Sequence, residues 1–324
     1  MIEVLSNGGL NLVQDLGRES HLRIGVSRGG AMDAPALAMA NWMVGNDASA
    51  AGIEVSIFPL RLRFLADTRF ACTGANTSVK LPWKELPSWW TATARQGDVL
   101  TIAPPSHGAR AYLAFTGGID APLVLGSRST DLKSGFGGWH GRGLKKGDVL
   151  PLGGAASAPA LRPVGVAPVA RKRLVEELAA GCVTVRVLPA AEYDHFTAAA
   201  VAAFHGSEYR LTPDCNRQGY RLEGAELALK KPLELLSHGI VPGTIQVPRS
   251  GQPIIQLAEA NTCGGYPKIA TIIEADLWRV AQLRPGQRLR FALTDHDAAV
   301  AVMRAQLDEE ARIRQGLAAR AGQN

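Results

Sequence analysis

The spread of 35 glycines and 19 prolines, 54 in all, through 324 residues is what most limits the folds open to this chain. Glycine admits left-handed backbone without steric penalty, and proline removes a backbone donor, so each interrupts regular structure. Scattered rather than pooled, they cut the chain into many short elements joined by turns and favour β structure. At this length a single hydrophobic core has usually stopped growing, so two domains are expected. Long helices alternating with strands are missing, which disfavours a doubly wound α/β fold.

One helix stands out in the first half. Asp33 is a good N-cap, Pro35 suits the first turn, Leu37, Ala40, Asn41 and Val44 recur at helical spacing, and Gly45-Asn46 ends the run. Around it, strands are expected at 53–58, 60–65, 69–73, 78–81, 99–102 and 111–115. The Ala-, Pro- and Gly-rich segment 153–169 reads as a linker, dividing an N-terminal domain, 1–170, from a C-terminal one, 171–324. The second half reads as helix 171–180, strand 183–188, helix 192–204, and strands 209–211, 243–247, 253–257 and 269–273. A helix at 275–283 follows, then a terminal amphipathic helix with Val300, Met303, Leu307, Ile313 and Leu317 along it.

One phrase recurs. Gln96-Gly97-Asp98-Val99-Leu100, Lys146-Gly147-Asp148-Val149-Leu150 and Pro285-Gly286-Gln287-Arg288-Leu289 each set a turn glycine and a polar residue before an apolar strand. That is how barrel-like β domains start a strand, and its presence in both halves hints at two related β domains.

The formal charge is +6, but the densest basic run, Arg171-Lys172-Arg173, is followed at once by Glu176 and Glu177. A solvated helix face explains it, and no basic stripe with aromatic platforms suggests nucleic acid. Cys72, Cys182, Cys215 and Cys263 form no metal-binding spacing, and Cys72 and Cys182 lie in apolar runs as small core residues. The opening Met1-Ile2-Glu3-Val4 lacks a basic, then apolar, signal pattern, and no run of 18 apolar residues occurs. A cytosolic protein with reduced thiols, no membrane association and no bound metal is expected.

Four stretches are too rich in glycine, arginine and small polar residues for core packing alone. The first runs from Val13-Gln14-Asp15-Leu16-Gly17-Arg18 to Gly29-Gly30-Ala31-Met32-Asp33. It reads either as turns and a helix cap or as an anion site at a helix start. The second is Thr116-Gly117-Gly118-Ile119-Asp120 with Leu125-Gly126-Ser127-Arg128-Ser129-Thr130. In the third, Asn216-Arg217-Gln218-Gly219-Tyr220-Arg221, two arginines bracket a glycine as a carboxylate or phosphate clamp would. The fourth extends from Ser237-His238-Gly239 through Gln246 and Gln252 to Asn261-Thr262-Cys263-Gly264-Gly265-Tyr266-Pro267-Lys268. There, glycines would let a ligand approach amides, hydroxyls and a lysine closely. A lone histidine such as His238 is more often structural than catalytic. No GxSxG elbow, P-loop or HExxH occurs, which argues against standard serine hydrolases, P-loop ATPases and zincins.

In order and spacing, segments 13–18 with 30–33, 125–130 with Gly135-Phe136-Gly137-Gly138, 217–224, and 243–268 resemble a biotin-dependent carboxyltransferase family. That family includes the C subunit of 5-oxoprolinase, the Kip antagonist and the carboxyltransferase portion of urea amidolyase, and is often labelled allophanate hydrolase subunit 2. The similarity spans residues 2–292. It implies a mostly β protein of two cyclophilin-like β-barrel domains with a few short helices. It also implies a Kip-inhibitor-like companion, the B subunit, and in some settings a LamB-type A subunit. Two activities follow from the resemblance: ATP-dependent opening of 5-oxoproline to glutamate, or carboxyl transfer from biotin carried on a partner to urea or a similar amide. Carried over by position, Arg217 and Arg221 would hold a carboxylate or polarise a carbonyl. Lys268 would stabilise developing negative charge, and His238 stands at a catalytic position. Gln246, Gln252, Asn261, Thr262 and Tyr266 would orient the amide, lactam or carboxylate substrate, and Asp15, Arg18 and Asp33 would line the same cleft or the partner interface.

Two motif positions depart from the family's pattern. His238 stands where Asp is usual, and Ala260-Asn261-Thr262-Cys263 replaces Arg-Gln-Thr-Thr. An acid and a base exchanged together can be close to neutral, whereas losing one strands the other. Three readings therefore stand: an enzyme component working on a small amide or lactam, a non-catalytic antagonist of a Kip-inhibitor-like partner, or a two-barrel protein that binds some small acid.

Overall fold

The structure is a computed structural model that describes residues 1–154 and 163–321. The chain is mostly β and forms two compact units. One comprises Met1–Glu19, Gly29–Arg171 and the chain from Asp308 onward, the other Ser20–Arg28 and Lys172–Leu307.

The first unit wraps two sheets around one core. A six-stranded sheet runs Val149–Leu150, Ile2–Val4, Leu60–Phe64, Val99–Ile102, Ser78–Leu81, Lys84–Pro87. A five-stranded sheet runs Leu12–Gln14, Gly52–Val55, His107–Phe115, Thr68–Asn76, Trp90–Ala94. The alternation in Leu60–Phe64 turns Leu60, Leu62 and Phe64 inward and Arg61 and Arg63 outward. Phe64 of one sheet meets Phe70 and Phe115 of the other at ring-centroid distances of 5.6 and 6.2 Å. The expected helix forms at Ala34–Met43, with the Asp33 carboxylate accepting from Ala36 N at 3.1 Å. Its Met39 and Met43 belong to a second apolar cluster, against which Ile313 and Leu317 of the terminal helix pack.

The three recurrent phrases are three copies of one turn. Gly97, Gly147 and Gly286 have φ of 88°, 92° and 88°, a left-handed region that a side chain rarely tolerates. Asp98, Asp148 and Gln287 each accept a backbone N–H through the side chain, from Arg95, Lys145 and Arg284, at 2.9, 2.8 and 2.7 Å. Each turn then docks the same way: the glycine N–H donates to a partner-strand carbonyl (Phe64, Val4, Leu211), and that partner's N–H donates to the Asp or Gln carbonyl. The first two copies lie in the first unit and the third in the second unit.

In the second unit seven strands close a barrel in the order Cys182–Pro189, Lys268–Ile272, Thr244–Gln246, Ile254–Gln256, Gly219–Glu223, Tyr209–Cys215, Arg288–Leu293. Closure is a parallel pairing of Cys182–Pro189 with Arg288–Leu293, and the other pairings are antiparallel. Val183, Val185, Val187, Ile245, Ile255, Ile269 and Phe291 are buried, and Phe204 stacks on Phe291 at 4.5 Å.

The expected helix 192–204 is two elements. A 3₁₀ turn, Tyr193–His195, ends at Phe196, which is extended, buried and bridged to Leu229. Thr197, also extended, then caps Ala198–Gly206 by accepting from Ala200 N at 3.1 Å. The core demand of Phe196 and the cap at Thr197 override the helical preference of the alanines. The 153–169 linker falls partly outside the described residues, but its end is pinned: Gly165 bridges Trp90, and Thr91 N donates to Val164 O at 2.9 Å. Among the described residues no helix is long and apolar enough to cross a membrane.

Candidate functional site

Lys268 opens a barrel strand beside Gln246, and the ladder between them is irregular. Ile245 faces Ala270, yet Gln246 faces Lys268, so Ile269 is an extra residue in its strand. A bulge of this kind re-aims neighbouring side chains. Both Gln246 and Lys268 end up buried. The Lys268 ammonium donates to the carbonyls of Tyr266 and Gly264 at 3.1 and 3.4 Å. Its Nζ lies 4.0 Å from Oε2 of Glu192, and that same oxygen accepts the Lys268 backbone N–H at 3.0 Å. The other carboxylate oxygen of Glu192 is 3.8 Å from Nε2 of His238, a half-exposed residue that pairs with Gly264 in a two-stranded ribbon.

Electrostatically this is a cation with one counter-charge, withdrawn from water. Burial pushes the Lys268 ammonium below the usual lysine range, and Glu192 works against that shift. Gln246 lies against Gly264, where a Cβ would come within 2.4 Å of its Nε2. That Nε2 is buried and has no hydrogen-bond partner. An unpaired buried donor is costly unless something accepts from it. A buried cation and a buried amide donor at paired positions of adjacent strands suit a carbonyl or carboxylate oxygen.

Of the residues singled out in the sequence, Gln246, His238 and Lys268 come together here, with Tyr266 contributing its carbonyl while its side chain is exposed. Thr262 holds the neighbouring ribbon by accepting from Ile240 N at 3.1 Å, and Asn261 beside it is exposed. Arg217 is buried and engaged by Glu259 at 2.6 Å. Arg221 points out of the barrel, since its neighbours Tyr220 and Leu222 are buried and it is exposed. Gln252 is spent on the turn at Gly224, accepting its N–H at 2.8 Å and donating to its carbonyl at 3.2 Å.

Asp15, Arg18 and Asp33 belong to the first unit and are each tied into its framework. Asp15 accepts from Gly17 N, Ser127 Oγ, Arg128 N and Ser129 Oγ at 2.8, 2.6, 2.6 and 2.5 Å. It thereby anchors loop 125–130 beside a cavity of about 350 Å³ that Asp47, Gly117, Asp120 and Arg128 also line. Arg18 donates to Ser129 O and lies 4.6 Å over the Phe136 ring. Asp33 caps its helix and takes a two-pronged ion pair from Arg171 at 2.5 and 2.6 Å.

Sequence reasoning missed Glu192 and Glu259, the acids that pair with Lys268 and Arg217. The signal available was indirect: a lysine and an arginine destined for burial each require a counter-charge. Among the described residues no cluster of three or more His, Cys, Asp or Glu side chains is placed to hold a metal ion.

Residues 24–293 match the family model described as carboxyltransferase domain, subdomain A and B. The chain is 43% identical over 291 residues to the C subunit of 5-oxoprolinase from Escherichia coli (strain K12), covering 90% of each. It is 39% identical to the corresponding 5-oxoprolinase chain of Haemophilus influenzae, again over 90% of each. It is 30% identical to urea amidolyase of Saccharomyces cerevisiae, covering 92% of this chain but 17% of that protein. Among solved structures, the Kluyveromyces lactis urea amidolyase superposes with a TM-score of 0.88 at 29% identity, over 96% of this chain and 20% of that one.

Proposed function

This chain belongs to the carboxyltransferase-domain family, subdomains A and B, and on that premise we propose that it is the C-type subunit of a 5-oxoprolinase-type enzyme. In this reading it acts on a small lactam together with two companions, one Kip-inhibitor-like and one LamB-type. The identity of 43% to the Escherichia coli protein against 30% to the yeast urea amidolyase favours lactam opening over biotin-dependent carboxylation of urea. The observation that carries the reading is the orphaned Nε2 of Gln246 beside the buried ammonium of Lys268.

In this proposal the lactam carbonyl oxygen sits between those two donors. Lys268 holds the negative charge that develops on that oxygen, and Gln246 fixes its direction. A preorganised donor of this kind typically contributes about 3 kcal/mol to transition-state stabilisation. Glycine at 264 keeps the approach clear. ATP serves the complex, and biotin on a partner serves the carboxylating alternative. The same two donors suit the oxygen of a carboxyl group in transfer.

The test is co-expression with the two companion proteins and measurement of ATP-dependent glutamate release from 5-oxoproline. Turnover that Lys268→Ala abolishes, in a complex that still assembles, supports the proposal. The departure at His238 favours a second reading, a non-catalytic antagonist of the Kip-inhibitor-like partner. A stable complex that turns over neither 5-oxoproline nor urea supports that reading and sinks the first.

A further inference from the structure

Glu192 lies in the turn that follows the first barrel strand, and its carboxylate is buried. Three contacts converge on it. Oε2 accepts the Lys268 backbone N–H at 3.0 Å and stands 4.0 Å from the Lys268 ammonium, while Oε1 stands 3.8 Å from His238 Nε2. One carboxylate therefore touches the start of a barrel strand, the cation at its head and the ribbon His238–Gly239. The Tyr266 and Gly264 carbonyls complete the seat of Lys268 without bringing a formal charge.

We propose that Glu192 is a positioning residue of the site, seating the backbone and the ammonium of Lys268 together and keeping that side chain a cation. The inference rests on Lys268 being the working cation of the proposed function. It goes further by assigning the charge state and placement of that group to a residue outside the motifs that carry the family resemblance. Among the described residues, the charged and titratable groups in contact with the Lys268 ammonium or its counter-ion are Glu192 itself and His238. A carboxylate this close favours the protonated lysine, while withdrawal from water opposes it. Without Glu192 that electrostatic offset is lost. A neutral lysine neither attracts an oxyanion as a charge nor offers three donors.

Glu192→Gln separates the two duties, because its amide oxygen still accepts the Lys268 N–H while the charge is gone. The probe is [ε-¹³C]lysine NMR of the full chain from about pH 7 to about pH 11, bracketing the ordinary lysine value. The Lys268 resonance is identified by its loss in Lys268→Arg. The proposal expects the Lys268 midpoint in Glu192→Gln to fall by about 1 pH unit. It also expects the alkaline limb of the complex's pH–rate profile to move with it. A midpoint unchanged from wild type, in a variant with an unchanged circular dichroism spectrum, overturns it. If Glu192→Gln does not fold, Glu192→Asp decides, since it keeps the charge but draws it back by one methylene. A lowered midpoint there supports the proposal and an unmoved one overturns it. If the wild-type complex never releases glutamate, the proposed function fails while the NMR titration still judges Glu192.

Discussion

Arg217 and Glu259 hold each other twice inside the second unit. The guanidinium Nε donates to Oε1 at 2.6 Å, and the Glu259 backbone N–H donates to the Arg217 carbonyl at 2.9 Å. Both side chains are more than nine-tenths buried, so removing either takes its ion-pair partner from a charge that water does not reach. Arg217→Ala is expected to cost about 3–5 kcal/mol of stability, and the joint replacement Arg217→Met with Glu259→Leu much less. Urea unfolding of the three chains checks this. Equal losses in the single and the joint variant would mean that packing rather than charge matters here. Arg217 thus has a framework duty besides any contact with substrate, and activity lost in Arg217→Ala has to be read beside its unfolding curve.

Gly264 makes the opposite kind of prediction. Its backbone lies outside the left-handed region, so alanine is conformationally acceptable, but the new Cβ would come within 2.4 Å of Gln246 Nε2. The atom in the way is the end of a flexible side chain, which swings aside at little cost. Gly264→Ala should therefore melt within a few degrees of wild type, a shift of about 1 kcal/mol or less, yet lose binding of 5-oxoproline. Isothermal titration with the companion complex reads the binding and calorimetry the melting. Retained affinity would remove Gln246 from the substrate's surroundings.

Much of this architecture is legible in the residues, and what is not has a physical reason. Asp33 and Pro35 announce the helix Ala34–Met43 because capping and first-turn chemistry are local. The Gly-Asp and Gly-Gln phrases announce three strand starts because a left-handed glycine and a side-chain acceptor suffice to build the turn. Glu192 is hidden because its role depends on Lys268, 76 residues away, and because an Ala-rich run looks like one helix until the burial of Phe196 breaks it. Glu259 is hidden likewise, 42 residues from Arg217. Asp15, Arg18 and Asp33 show the converse. They sit in a glycine-rich stretch that looks like a ligand loop, and the structure gives each a framework partner: Ser127 and Ser129, Phe136, and Arg171.

Two glycines of the first unit separate backbone strain from steric clash. Gly97 and Gly117 have nearly the same φ, 88° and 85°. A Cβ at Gly97 would meet nothing within 4 Å, whereas one at Gly117 would lie 2.1 Å from the Gly153 carbonyl oxygen. Gly97→Ala should cost only the left-handed strain, about 1 kcal/mol, and Gly117→Ala roughly 3 kcal/mol because backbone has to move. Denaturant midpoints of the two variants, measured side by side, check the ranking. Equal losses would mean that the segment around Gly153 yields freely.

Asp148 contributes to the first unit's loss of stability in acid. Its burial favours the neutral acid, but Arg142 donates to both carboxylate oxygens at 2.8 Å and Lys145 N to one of them at 2.8 Å. These donors outweigh burial and hold the carboxyl below the usual aspartate range. A folded-state value below the unfolded one means that the stabilisation is present above the unfolded pKa, about 3.9. It is lost as pH falls through the lower folded value, because the unfolded chain then binds the proton first. Asp148→Asn should therefore be less stable than wild type at neutral pH, and the gap should close as the pH drops below about 4. Unfolding curves for both proteins across that range decide it. A difference that stays constant with pH would assign Asp148's contribution to its hydrogen-bond geometry alone and not to its charge.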